Sequence, residues 1–147
     1  MDKHKQRIDN LFLNNLNLPA LRTIDVTAFY QTIDDKTIQN LCESHMSANA
    51  LHPNLTDLNI SHCYLVTDAG IQWIVGSCHS PKLKTLNLSN VDLTGNCFLR
   101  KMHALTSLKL ESCTSLNGQG LQNIATSCAN LLELSLGLNK QLQGKTL

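Results

Sequence analysis

Leu55-Thr56-Asp57-Leu58-Asn59-Ile60-Ser61-His62-Cys63 returns as Leu105-Thr106-Ser107-Leu108-Lys109-Leu110-Glu111-Ser112-Cys113, and both stretches read L-x-x-L-x-L-x-x-C. The same frame, more loosely filled, runs through Leu83, Leu86, Leu88 and Val91, through Leu131, Leu134, Leu136 and Asn139, and through Leu21, Ile24, Val26 and Phe29. Five units therefore share one template. The centre of each phrase predicts a short strand, in which alternate residues face opposite sides. The fourth and sixth positions then point inward, and Asp57, Asn59, Ser61, Lys109 and Glu111 face solvent on the strand side. At the ninth position the chain leaves the strand. Cys63, Cys113 or Asn139 suits that cramped place because each is compact and can hydrogen bond inside the turn. Val91 and Phe29 break the preference, which predicts that those two turns differ locally. Ile8, Leu11, Leu13 and Leu16 also fit the frame, but Leu21 follows too closely for a complete unit. Residues 1–17 read as an N-terminal cap or an irregular first strand.

A second shape follows the strands. Thr67-Asp68-Ala69-Gly70-Ile71 leads through Trp73-Ile74-Val75 to Cys78, and Asn117-Gly118-Gln119-Gly120-Leu121 leads through Asn123-Ile124-Ala125 to Cys128. Thr67 and Asn117 are suited to cap helices, since their side-chain oxygens can accept from orphan N–H groups of the first turn. Ile71, Ile74, Val75 and Cys78 fall on one helical stripe that can press against the strands. Asp34, Ile38, Leu41 and Cys42 repeat the plan in the first unit. The third unit is shorter, and Thr94, Phe98, Leu99 and Met102 predict only a helical turn or two.

A strand phrase of this kind, repeated with a helix between copies, is the signature of a leucine-rich repeat. The strand ending in Cys, the turn Leu65-Val66-Thr67-Asp68-Ala69-Gly70, the helix and the second Cys at its end resemble the cysteine-containing class of these repeats. That class is found in F-box substrate receptors of ubiquitin ligases and in related proteins without an F-box. The Thr-Asp-x-Gly turn is also similar to ribonuclease-inhibitor-type repeats, although the ninth-position cysteines favour the first class. The resemblance covers about Leu18 to Asn139 and implies an α/β fold: a right-handed solenoid with a parallel strand face and outer helices. Residues 18–147 would form about five units, the last truncated. No single unit covers its own apolar face, so the core must come from stacking. Function is left open, because one repeat type serves many partners.

The 147 residues fit one domain, and a net charge of +1 gives no reason to expect nucleic acid or an anionic membrane as the target. With 42% apolar but only 4% aromatic residues, the core is expected to be aliphatic. Five of the six cysteines sit at matching places in their units, which argues for packing. The charged start, Met1-Asp2-Lys3-His4-Lys5-Gln6-Arg7, is not followed by an apolar signal segment. A reduced, cytoplasmic or nuclear setting is the expectation. The sequons at Asn54, Asn59 and Asn87 overlap strand templates and arise from that composition.

No metal or cofactor is expected, since no C-x-x-C occurs and His62, Cys63, Cys78 and His79 fall on opposite sides of one unit. No nucleophile elbow, phosphate loop or paired-histidine motif points to catalysis. Cys97, without a counterpart in other units and expected to be partly exposed, is the one candidate reactive thiol. An enzyme built on it or on the His62 group is the rival class.

The favoured reading is a protein-interaction module that binds a protein partner on the concave strand face. Asp25, Asn59, Asn87, Lys109 and Ser135 should form one row, flanked by Asp57, Thr85, Ser107 and Glu133 and by Thr27, Ser61, Ser89 and Glu111. From these rows the candidate partner-binding residues are Asp57, Asn59, Ser61, Thr85, Asn87, Lys109, Glu111 and Glu133. Tyr64, with Tyr30 beside it, is the candidate aromatic anchor on the adjoining rim. The same rows read equally well as a plain solvated sheet face. The family resemblance adds a narrower reading, the substrate-recognition part of a ubiquitin ligase, though Met1 to Leu18 carries no F-box pattern. The last unit breaks off after its strand and turn. Either Lys140 to Leu147 folds over as a minimal cap, or that end receives a second copy, a partner or further chain.

Overall fold

The computed structural model describes residues 21–43, 54–77 and 82–142. The segment expected to act as an N-terminal cap, Cys78, His79 and residues 143–147 lie outside them.

Each repeated phrase forms a three-residue strand: β1 (Thr23–Asp25), β2 (Asp57–Asn59), β3 (Thr85–Asn87), β4 (Ser107–Lys109) and β5 (Glu133–Ser135). They make one parallel sheet in chain order, β1 to β5. Its register puts Ile24, Leu58, Leu86, Leu108 and Leu134 side by side. Alternation sends this apolar row to one face and the third and fifth positions to the other. The sixth positions continue the pairing: Val26 N–H donates to Asn59 O at 3.1 Å, Ile60 N–H to Asn87 O at 3.1 Å and Leu88 N–H to Lys109 O at 2.9 Å.

Parallel neighbours require a crossover connection between them, and helices fill three of these. α1 (Asp35–Glu43) starts where Asp34 Oδ1 accepts from the N–H and hydroxyl of Thr37, each at 2.8 Å. α2 (Asp68–Gln72) is capped by Thr67, whose side chain accepts from Ala69 N–H, and continues as a π-turn through Trp73–Ser77. α3 (Gly118–Ser127) is capped by Asn117, which accepts from Gly120 N–H at 2.8 Å. The helical stripes meet the sheet in one aliphatic core that runs from Ile24 to Cys128. No helix among the described residues is long and apolar enough to cross a membrane.

The expected helical turn in the third unit is absent. This unit returns to its next strand after 22 residues, against 28 for the second, so little chain is available. Gly95 turns at a φ of +94°, and a Cβ on Gly120 would lie 1.8 Å from Thr94 O, so this loop is pressed directly onto the start of α3. A side chain at either glycine would force the two segments apart. Phe98 and Met102 are buried as expected, while Leu99 is exposed.

The second correction concerns the strand-end turns. The turn of the Val91 unit does not differ from its neighbours: His62, Asn90, Ser112 and Leu138, all at the eighth position, share φ values of 67°, 61°, 55° and 60°. Such left-handed geometry is costly for a residue with a Cβ. Here it lets the eighth N–H reach the next unit, as His62 to Ser89 O at 2.8 Å and Asn90 to Glu111 O at 2.9 Å. The backbone therefore sets this turn, and the ninth side chain adds to it. Cys113 Sγ donates to Leu88 O at 3.2 Å, and Asn139 Nδ2 donates to Leu110 O and Leu136 O, each at 2.7 Å. The Phe29 turn does differ, as expected, and forms a short 3-10 helix over Thr27–Phe29.

Candidate functional site

The parallel register converts the third and fifth positions into the two predicted rows: Asp57, Thr85, Ser107 and Glu133 in one, and Asp25, Asn59, Asn87, Lys109 and Ser135 in the other. Between them lies a groove of about 380 Å3, lined from Thr23 and Asp25 on β1 to Glu133 on β5. Six of the nine candidate residues line it: Asp57, Asn59, Thr85, Asn87, Lys109 and Glu133. Thr23, which sequence reading passed over, lines it too. The signal was available, since Thr23 occupies the same third position as Asp57.

Ser61 is a correction. It was expected to face solvent, but only 5% of it is exposed. Asn59 Oδ1 accepts both the Ser61 N–H at 3.0 Å and the Ser61 hydroxyl at 2.7 Å, so the chain bends at the strand end and draws the seventh side chain in. Ser89 is buried in the same way, with its N–H on Asn87 Oδ1 and its Oγ accepting from Glu111 N–H, each at 3.1 Å. Glu111 itself is exposed but does not line the groove.

The chemistry of the groove is set by ionised groups held by neutral donors. The Thr27 hydroxyl donates to Asp25 Oδ1 at 2.6 Å, its N–H does so at 2.9 Å, and Asn59 Nδ2 approaches Oδ2 at 3.4 Å. These bonds, led by the Thr27 hydroxyl, hold the Asp25 carboxyl below the usual range. Asp57 is lowered by the hydroxyls of Thr85 and then Thr56, with Lys84 assisting. Hydrogen bonds to the charged form favour it. Lys109 Nζ engages no described residue, and Glu133 accepts from the Ser107 hydroxyl at 3.3 Å.

Tyr30 and Tyr64, expected on the rim, do not line the groove; they lie past the ends of β1 and β2, are both exposed, and meet edge to face with ring centroids 6.1 Å apart. Leu65, exposed beside them, pairs its backbone with Asp34. The β5 unit leaves leucines exposed at the edge of the sheet: Leu132 is 84% exposed, Leu134 42% and Leu138 71%.

The thiols sit elsewhere. Cys97, expected to be partly exposed, is only 3% exposed. Burial, then the charge and hydrogen bond of Asp68, pushes its pKa far up. Burial likewise raises Cys113 and Cys128 to about 11. A thiol held protonated is a poor nucleophile and a poor metal ligand. Of the proposed metal group, His62 is exposed and Cys63 is buried, while Cys78 and His79 lie outside the described residues.

Sequence reading also missed the joints between units. The Asp35 carboxylate accepts from Thr67 N–H at 2.7 Å, from the Thr67 hydroxyl at 2.6 Å and from Gly70 N–H at 3.0 Å. Asp68 does the same one unit later, accepting from Thr94 N–H, its hydroxyl and Gly95 N–H. The recurrence of Asp just after a helix cap was the available sign.

No family model matches the chain, and no curated protein does. Among solved structures it is similar to one chain of the yeast Rad7 and Elc1 complex, at 17% identity with a TM-score of 0.67 over 87% of this chain. That match spans 31% of the other chain, about a third of its length. The tropomodulin C-terminal domain of Caenorhabditis elegans aligns at 12% identity and TM-score 0.58, covering 92% of this chain and 80% of that one. Actin-Binding Site 2 of leiomodin-1 aligns at 16% identity and TM-score 0.61, covering 93% and 79%. At these identities the likeness is one of fold.

Proposed function

We propose that the chain is a leucine-rich-repeat solenoid of the cysteine-containing class that acts without catalysis, holding a protein partner on its concave, strand-side face. The observation that carries this reading is the groove that crosses all five strands, lined by polar side chains that include the ionised Asp25 and Asp57 and a Lys109 uncommitted among the described residues. The exposed Tyr30–Tyr64 pair past the strand ends offers aromatic anchors of the kind interfaces favour. The solved relatives fit: one is part of a complex with Elc1, and another is an actin-binding site. The raised thiol pKa values weigh against the thiol-enzyme rival.

Ser107→Trp with Lys109→Glu tests the reading, because both side chains line the groove and neither caps a turn. Affinity capture from the protein's own cell extract should recover partners with the native chain and lose them with this variant. Retention of every partner by the variant would contradict groove binding. A substrate-recognition role in a ubiquitin ligase is the second reading, favoured by the turn Leu65 to Gly70 with its flanking cysteines and by the likeness to a chain solved with Elc1. It predicts an adaptor among the captured proteins, bound whether or not the groove is blocked.

A further inference from the structure

The groove carries its charges in an order that constrains the partner. Asp25 and Asp57 sit on β1 and β2, the amides of Asn59 and Asn87 on β2 and β3, Lys109 on β4, and Glu133, which accepts from the Ser107 hydroxyl, on β5. Asp25 and Asp57 are held by hydroxyl and amide donors, with Lys84 acting on Asp57 only from a distance, so each negative charge is oriented without a paired cation among the described residues. Lys109 Nζ is uncommitted among the described residues. Asn87 spends its Oδ1 on Ser89 N–H, while its Nδ2 engages no described residue and is free to donate.

Covering such charges with an apolar or like-charged surface leaves them desolvated without compensation, which is the costly case. Covering them with opposite charges recovers the cost. Adjacent strands lie about 4.8 Å apart, so Asp57 and Lys109 are separated by roughly 10 Å across the sheet and Asp25 and Lys109 by roughly 14 Å. An extended chain advances about 3.3 Å per residue. The span from carboxylates to ammonium therefore matches three to four residues of a segment laid across the strands.

We infer that the groove takes an extended segment of its partner that carries a Lys or Arg over Asp25 and Asp57 and an Asp or Glu three to four residues away over Lys109. Asn87 Nδ2, between them, donates to a backbone carbonyl of that segment. This rests on the groove-binding reading and adds the chemistry of the occupant to it.

The test is a random 12-residue peptide library displayed on phage, selected on the native chain and counter-screened on Ser107→Trp, a block that adds no charge. Circular dichroism confirms that the variants fold. Peptides lost on Ser107→Trp should share a basic and an acidic residue three or four positions apart. Asp25→Asn with Asp57→Asn should weaken them about tenfold or more. Lys109→Glu should do the same, and a peptide whose acidic residue is replaced by Lys should regain binding to it. Groove-dependent peptides without that charge order would overturn this inference and leave groove binding standing. A selection that yields no peptide sensitive to Ser107→Trp would overturn both.

Discussion

Leu108 and Leu134 occupy the same position in adjoining units, yet Leu108 is fully buried and Leu134 is 42% exposed. The strand of Leu108 has a paired neighbour on each side, whereas β5 has one only among the described residues. The same split runs through the rest of the two units. Leu110 is buried and Leu136 is not, and Asn139 Oδ1 is buried with no hydrogen-bond partner among the described residues. The same residue at the same place in the frame thus becomes core or surface according to what is stacked against it. The stability of any one unit resides largely at its junctions.

That contrast is sharpest in truncations. Leu108→Ala should destabilise the protein by about 2–5 kcal/mol, since a fully buried leucine loses its transfer energy and leaves a cavity. Leu134→Ala, half in water already, should cost less than about 1.5 kcal/mol. Urea titration of the two variants measures the gap. Equal losses would break the comparison.

A smaller effect probes the junction itself. Gly120→Ala forces a Cβ onto Thr94 O and Gly95 Cα and should cost about 1–3 kcal/mol. Two residues away, Gly118 has nothing within 4 Å of an added Cβ. Gly118→Ala should leave stability unchanged or raise it by up to about 1 kcal/mol. Thermal melts of the pair separate a junction effect from a general one of glycine in α3.

How much of this was legible depended on whether the cause was local. The frame Leu55–Cys63 contains its own periodicity, so strand placement, register and the row order of the groove could be read from it. Thr67 and Asn117 could be read as caps for the same reason. The third unit could not: Phe98 and Met102 have helical spacing, but the close approach of Gly95 to Gly120 belongs to two segments that meet only in the fold. Ser61 was misplaced because strand alternation was extended one residue past the point where Asn59 bends the chain. Cys97 was misjudged because its burial comes from tertiary packing that its own segment does not announce. Among the candidate site residues, those within the strands lie along the groove, whereas Ser61, just past a strand end, turns inward.

The smallest expected effect concerns acid. The folded-state pKa values of Asp25 and Asp57 lie below their unfolded values, so the unfolded chain binds more protons across that interval. Their contribution is complete above the ordinary carboxylate range and is lost as pH falls through the lowered values. Stability measured from neutral pH down into that range should fall less steeply for Asp57→Asn than for the native chain. Glu133→Gln, at the β5 edge, is the comparison variant.

Carboxyl footprinting of the native chain with and without its captured partner tests groove binding most directly. Asp25, Asp57 and Glu133 line the groove, while Asp92 is exposed outside it and accepts from Ser115. Binding on the strand face predicts that carbodiimide labelling of Asp25, Asp57 and Glu133 falls on complex formation while that of Asp92 is unchanged. Protection of Asp92 with undiminished labelling of the three groove carboxylates would contradict it.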